Sequence, residues 1–337
     1  MPRLHRGVTL IEILIGISII SLLAGLLMPA LLGAKRAARS AMCAATQQRL
    51  YQATMAYSLN DKEWIPGVNR TGLKYRESIN AALELEGDTS PTTPTTTFDW
   101  ISPVIGFDAH LSPNRARRTK QIFEELGCPE AQRLNDKTWG YSNDLSSDFL
   151  PLLETEGIGQ ISYLSPASFH LSGPGYSPTK YERFAFPGPA IPPDRYLPRL
   201  ERIGRVHADK IFLSDGTRYL TAGGVLDFDV SPNPEYYGSF TSSTPIYRGS
   251  TAFGTGPHVP GFDIGGYGHA VHAERRRLSY RHSGGMNVVY FDGHVGHLSE
   301  HDSKSNATPW YPSGSEFTGE KATDESLLLH APGDILN

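Results

Sequence analysis

Arg3-Leu-His-Arg6-Gly7-Val8-Thr9-Leu10-Ile11-Glu12-Ile13 opens the chain and leads into an apolar run that reaches about Gly33. From Ile13 to Leu32 about 20 residues carry no charge. As a helix at 1.5 Å per residue, they cover a bilayer core of about 30 Å. Arg3 and Arg6 lie before the run, and Lys35, Arg36 and Arg39 follow it, so flanking charge sets no orientation. A secretory peptide would be cut behind its apolar region, whereas the small-residue break here, Gly7, lies in front of it. Glu12 is the second departure from an ordinary signal anchor. A carboxylate in lipid costs about 3 kcal/mol and is normally kept for a partner.

The helix does not end with the apolar run. Lys35 to about Asn60 contains neither Gly nor Pro and is rich in Ala, Gln, Arg and Leu, which favour helix. Cys43, Leu50 and Tyr57 recur every seven residues, with Thr46, Ala53 and Thr54 on the turns between. That stripe predicts one face packed on a globular head. The helix is expected to stop near Asn60-Asp61, with Ile65-Pro66-Gly67 turning the chain away. Pro29 removes one helical hydrogen bond and is expected to kink the apolar half, which Gly16, Gly25 and Gly33 soften.

Arg6-Gly7-Val8-Thr9-Leu10-Ile11-Glu12 resembles the type III signal of type IV prepilins and type II secretion pseudopilins. The resemblance implies cleavage between Gly7 and Val8 by a prepilin peptidase, methylation of the new N-terminus, and assembly roles for Glu12 and Pro29. Val8 departs from the commoner Phe, which methylation tolerates. A second resemblance lies near the other end, where His282, nine residues and then Asp292-Gly293 match the His-x9-Asp-Gly signature of a group of bacterial prepilin-like proteins. Cys128-Pro129 is similar to a Cys-Pro pair common in that group. Five strand residues from Met286 span about 17 Å, so His282 is expected to fix the loop Ser283-Gly284-Gly285 rather than to touch Asp292.

The 337 residues suffice for one large domain or two modest ones. Lys and Arg number 31 against 35 Asp and Glu, and losing Arg3 and Arg6 with a leader leaves 29 against 35. That acidity argues against a nucleic-acid binder. Gly (34) and Pro (25) are abundant enough to predict many turns and short strands. Cys43 and Cys128 are the two cysteines. In an oxidising compartment they form a candidate disulfide that ties head to helix; two separately buried thiols are the alternative.

The expected organisation is α+β and pilin-like, a long N-terminal helix packed on an antiparallel β-sheet head. Its segments are a leader (1–7), a transmembrane half-helix (8–34), an amphipathic half-helix (35–60), an irregular part of the head (61–205), a sheet region (206–300) and a tail (301–337). Asp88 to Thr97 is a Thr/Pro tract that reads as an exposed loop, open to O-glycosylation. Ser112-Pro113 is expected to cap a helix running to Leu126, closed by Gly127. Arg115, Arg117, Arg118 and Lys120 give that helix a basic face, either solvated or set against lipid headgroups or an acidic neighbour. The prolines between Pro166 and Pro198 leave room only for irregular or edge structure. Asp215-Gly216 and Asp292-Gly293 each stand between β-prone runs and predict two hairpins.

His258, His269, His272, His282, His294, His297 and His301 crowd the last third, but without Cys-x-x-Cys or His-Glu-x-x-His they give no transition-metal pattern. The resemblance to major pseudopilins, which often hold calcium near the C-terminus, implies Asp227, Asp229, Asp292 and Asp302 as candidates for that ion. No phosphate loop and no Gly-x-Ser-x-Gly elbow occurs, so no enzyme is expected. The resemblance implies a subunit of a type II secretion pseudopilus or a type IV pilus, held in a bacterial inner membrane with its head in the periplasm. Its partners would be the prepilin peptidase, other pilin-like subunits, the bilayer, a platform protein and an assembly ATPase. A minor or tip subunit, or a membrane-anchored binding module that never polymerises, would share these features.

Overall fold

The computed structural model describes residues 9–72, 89–131, 134–135, 149–159, 161–175, 188–217, 219–220, 226–227, 240–253 and 276–337. The chain enters helix α1 (Leu10–Asn60) through a capping box. The Thr9 side chain accepts from the Glu12 amide, and Glu12 Oε2 receives both the Thr9 amide and the Thr9 hydroxyl at 2.8 Å. These bonds satisfy amides that a helix start leaves without partners. α1 runs for 51 residues with Pro29 inside it, and Asp61 forms its C-terminal cap. Its first half is bare. The Leu, Ile and Met side chains from Leu10 to Leu32 are all more than half exposed.

The second half of α1 buries Cys43, Gln47, Leu50, Thr54 and Ser58, a spacing of three and four residues. Tyr57 lies at the edge of this face, half-buried, and its hydroxyl bonds to Asp61. The face rests on a five-stranded sheet built from β1 (Tyr163–Pro166), β2 (Ile211–Asp215), β3 (Thr241–Ser242), β4 (Gly285–Tyr290) and β5 (Val295–Ser299). The strand order is β5-β4-β2-β1-β3. All pairs are antiparallel except β1 with β3, so the sheet is mixed. β2 and β4 lie directly beneath α1. The core below the helix is aromatic, with Phe212 edge-on to Trp100 (5.2 Å between ring centroids), Phe291 (5.3 Å) and Tyr51 (6.0 Å). Such pairs add about 1 kcal/mol each beyond their burial. A smaller three-stranded sheet places Ser315–Phe317 between Ile335–Leu336 and Ala190–Ile191. Ala190–Ile191 is therefore an edge strand, as its Pro-rich surroundings require.

Three expectations are corrected. The Thr/Pro tract is not an exposed loop, since Thr95, Thr96 and Thr97 are buried. The Asp99 carboxylate gathers the Thr95 amide and hydroxyl, the Ile101 and Ser102 amides and the Ser102 hydroxyl, which pulls the segment inside. Of the four basic residues after it, Arg117 is solvated and Lys120 part-buried, but two do not face outward. In helix α2 (Arg115–Glu125) Arg115 and Arg118 are buried. Arg115 Nε donates to the Thr95 carbonyl (2.8 Å) and Arg118 Nη1 to the carbonyls of Ser112 and Pro113 (both 2.8 Å). Arg117 pairs with Glu156 and Lys120 with Glu124. The cap of α2 is Asn114, whose side chain accepts from the Arg117 amide, with Leu126 at the other end.

The third correction concerns Asp215-Gly216, which makes no hairpin. β2 pairs with β1 and β4, while Tyr219–Leu220 pairs with Leu226–Asp227. The Gly216 amide instead donates to the Ser162 carbonyl (3.0 Å). A Cβ at Gly216 would stand 2.6 Å from Leu164 Cδ1, so the glycine is there for close packing. Asp292-Gly293 does turn a hairpin. The Tyr290 amide donates to the His294 carbonyl and the Gly293 amide to the Tyr290 carbonyl, with Gly293 at φ +94°. That is a three-residue loop with its glycine in the left-handed region.

Candidate functional site

The polar chemistry of the head gathers where α1 meets β2 and β4. Cys43 from the helix and Cys128, just past α2, are disulfide-bonded, with Cα atoms 5.1 Å apart and both side chains buried. Helical phase brings Cys43 onto the face it shares with Leu50, and the turn after Glu125 delivers Cys128, whose amide donates to Ser162 Oγ (2.9 Å). The bond closes a loop of 85 residues, which contributes about 4 to 5 kcal/mol in the chain-entropy picture.

One turn further along α1, Gln47 reaches the centre of the junction. Its Nε2 donates to Asp215 Oδ1 (2.9 Å) and to the Asn287 carbonyl (3.3 Å). Asp215 is fully buried at the end of β2. Its Oδ1 also takes Arg281 Nη2 (2.6 Å), and its Oδ2 takes the Asn287 amide (2.7 Å). The Arg281 side chain is itself buried, and its two terminal nitrogens also donate to the carbonyls of Ser162, Gly216 and Leu278, while Nε has no partner. Asn287 Nδ2 reaches back to the Ser40 carbonyl and hydroxyl on α1 (both 3.3 Å). Burial raises the Asp215 acid to about 6, with Arg281 and the Asn287 amide pulling the other way. The charge pair is thus held by a ring of donors, the condition under which a buried ion pair is tolerated.

His282 borders the same cluster. Its Nε2 lies 3.5 Å from Cys128 Sγ and 3.5 Å from Asp215 Oδ2. Glu130 Oε2 is 3.1 Å from Nδ1, yet off the hydrogen-bond line, so Nδ1 stays unsatisfied. Burial, aided by the Arg281 charge, depresses the imidazole to about 4, which keeps it neutral. The backbone of His282 exchanges two hydrogen bonds with Gly285 around Ser283 and Gly284, both at positive φ. The His282 backbone thus closes that loop, and its ring packs on the disulfide.

The other half of the signature touches α1 as well. Gly293 lies against Tyr51, where a Cβ would come within 2.6 Å of the ring, and the Tyr51 hydroxyl donates to the Phe291 carbonyl (3.0 Å). The strand between His282 and Gly293 accordingly spans two anchor points on the stalk helix, one at Cys43 and one at Tyr51. Asp292 is exposed, and its Oδ1 accepts from the His294 amide and meets His294 Nδ1 at 2.7 Å. Asp302 is bonded to the Ser299 side chain at a helix start. Among the described residues neither aspartate belongs to a group of three or more possible metal ligands. Gly7, Val8, Asp229, His258, His269, His272 and the side chain of Asp227 lie outside the described residues.

Sequence reasoning passes over Gln47, Asp215, Arg281 and Asn287. The available signal is Arg281 beside His282, a charge ahead of a tight turn into an apolar strand, where a solvated side chain would be out of place.

A capped helix with a bare apolar half, long and apolar enough to cross a membrane, is joined to an α+β head. Residues 2–28 match the family model of the prokaryotic N-terminal methylation motif, and the chain carries this prepilin-type signal. No curated protein and no solved structure matches the chain.

Proposed function

We propose that the chain is a structural subunit of a type II secretion pseudopilus or a type IV pilus. The observation that carries this reading is the methylation motif on residues 2–28, continuous with a helix whose 18-residue apolar window is wholly uncovered. An apolar half-helix attached to a well-covered head suits storage in a bilayer followed by burial among other copies. A prepilin peptidase cuts between Gly7 and Val8, and the new amine is methylated. The head stands in the periplasm. A platform protein and an ATPase supply the extraction force. Subunits then join through a repeated contact that does not close on itself, which generates a filament. Glu12 of an incoming copy neutralises the Val8 amine of its neighbour. In low dielectric an unpaired charge is expensive, so the pair sets register.

Mass spectrometry of the mature N-terminus tests the reading. The expected product begins at Val8 and carries one added methyl group. An intact leader, or a cut behind the apolar segment, defeats it.

A further inference from the structure

The junction holds a set of ligands that the disulfide conceals. Cys43 Sγ, Cys128 Sγ and a ring nitrogen of His282 all lie within 4.8 Å of one another, and all three residues are buried. We propose that the dithiol form of the chain binds one thiophilic divalent cation of the Zn2+ class at this site. Two thiolates on one tetrahedral zinc stand about 3.8 Å apart, from Zn–S bonds of about 2.3 Å. Cysteines with Cα atoms 5.1 Å apart, on two different elements, can present their sulfurs at that spacing by side-chain rotation. His282 Nε2, 3.5 Å from Cys128 Sγ, supplies the third ligand. Asp215 Oδ2, 3.5 Å from the same nitrogen, or a water completes the tetrahedron.

A second observation points to the same ligand. His282 is buried with Nδ1 unsatisfied, while the Glu130 carboxylate waits 3.1 Å away. A carboxylate behind the non-ligating nitrogen is the usual support of a metal-bound histidine, because it fixes ring orientation and strengthens the donor. Cys43 arrives on a helix that is also anchored through Gln47 and Tyr51, so two of the ligand-bearing elements are held in place without the disulfide. The chemistry balances simply. A phosphine reductant gives two electrons to the S–S bond and takes up the oxygen of one water, leaving two thiols. Binding of the cation then releases the two thiol protons, so each sulfur coordinates as thiolate.

The test uses the full chain in detergent, reduced with a water-soluble phosphine and titrated with Co2+ as a spectroscopic stand-in for Zn2+. The expected result is one Co2+ per chain, a thiolate-to-cobalt charge-transfer band and the visible bands of a tetrahedral site. Zn2+ should displace the Co2+. The oxidised chain should show none of these bands, nor should the Cys43→Ser/Cys128→Ser chain. His282→Ala should weaken binding at least tenfold, and Glu130→Gln, which keeps the ligands, by about 10- to 100-fold. The glutamine variant serves where the alanine variant does not fold. No charge-transfer band in the reduced chain overturns the proposal. Binding unchanged in both His282→Ala and Glu130→Gln also overturns it, because two thiols alone would then be the ligand.

Discussion

At the scale of single residues, Asp215 and Arg281 are the groups whose loss the head should tolerate least. Asp215→Asn keeps the shape but leaves the Arg281 guanidinium buried without its counter-charge. Breaking a buried pair from one side costs about 3 to 5 kcal/mol, and denaturant unfolding of the variant at neutral pH should show a loss of that order. Titration offers a separate check. His170 is fully buried between the Pro66 carbonyl and the Ser165 hydroxyl, and burial depresses it to about 4. His282 is depressed similarly. The folded state therefore binds fewer protons than the unfolded chain, and the stability these histidines contribute is present above about pH 6.5 and is lost as pH falls toward 4. Asp215, raised to about 6, acts in the opposite sense and recovers part of the loss over the same range. His170 alone accounts for about 2 kcal/mol between pH 7 and 5. In His170→Gln, unfolding curves at the two pH values should lie closer together by that amount; an unchanged gap would mean that His170 does not titrate in this range.

At the scale of elements, the hairpin β4–β5 acts by pressing its tip on α1. Gly293→Ala introduces a methyl group at φ +94°, 2.6 Å from the Tyr51 ring. Strain and crowding together should remove about 2 to 3 kcal/mol. Tyr51→Phe, which loses only the bond to the Phe291 carbonyl, should cost about 1 kcal/mol. Equal losses in thermal unfolding of the two variants would refute a role for the glycine in close approach. This hairpin was readable in advance because its turn is local: Asp292 and Gly293 satisfy the loop by themselves. The same dipeptide at Asp215-Gly216 misleads because distant residues override it, Gln47 and Arg281 claiming the carboxylate and Leu164 the space beside the glycine. The Thr/Pro tract fails as an exposed loop for a similar reason. Its polarity is satisfied from within by Asp99, Arg115 and Arg118, and composition alone does not distinguish donors met by protein from donors met by water. The stalk helix was legible nearly to the residue. Length, apolarity and the stripe from Cys43 are properties of one continuous segment, although Gln47 and Ser58 are buried where the seven-residue count puts nothing.

At the scale of the whole molecule, α1 is about 77 Å long at 1.5 Å per residue, and the head grips only its second half. The free half holds one carboxylate, Glu12, which among the described residues is bonded to Thr9. Glu12→Val should leave cleavage and membrane insertion intact while filament incorporation falls to background, as read by shearing and sedimentation of surface filaments. Normal incorporation of the variant would remove the register argument. The grip on α1 also decides where mechanical load travels. A pull along the stalk meets its first covalent tie to the head at Cys43 and crosses there to Cys128. The segment between them, a sequence separation of 85 that includes the buried Thr95, Thr96 and Thr97, stays off the load path. Stretched between its N-terminus and the head in an optical trap, the oxidised chain should withhold about 290 Å of contour length, at about 3.4 Å per residue, that the reduced chain pays out before it breaks.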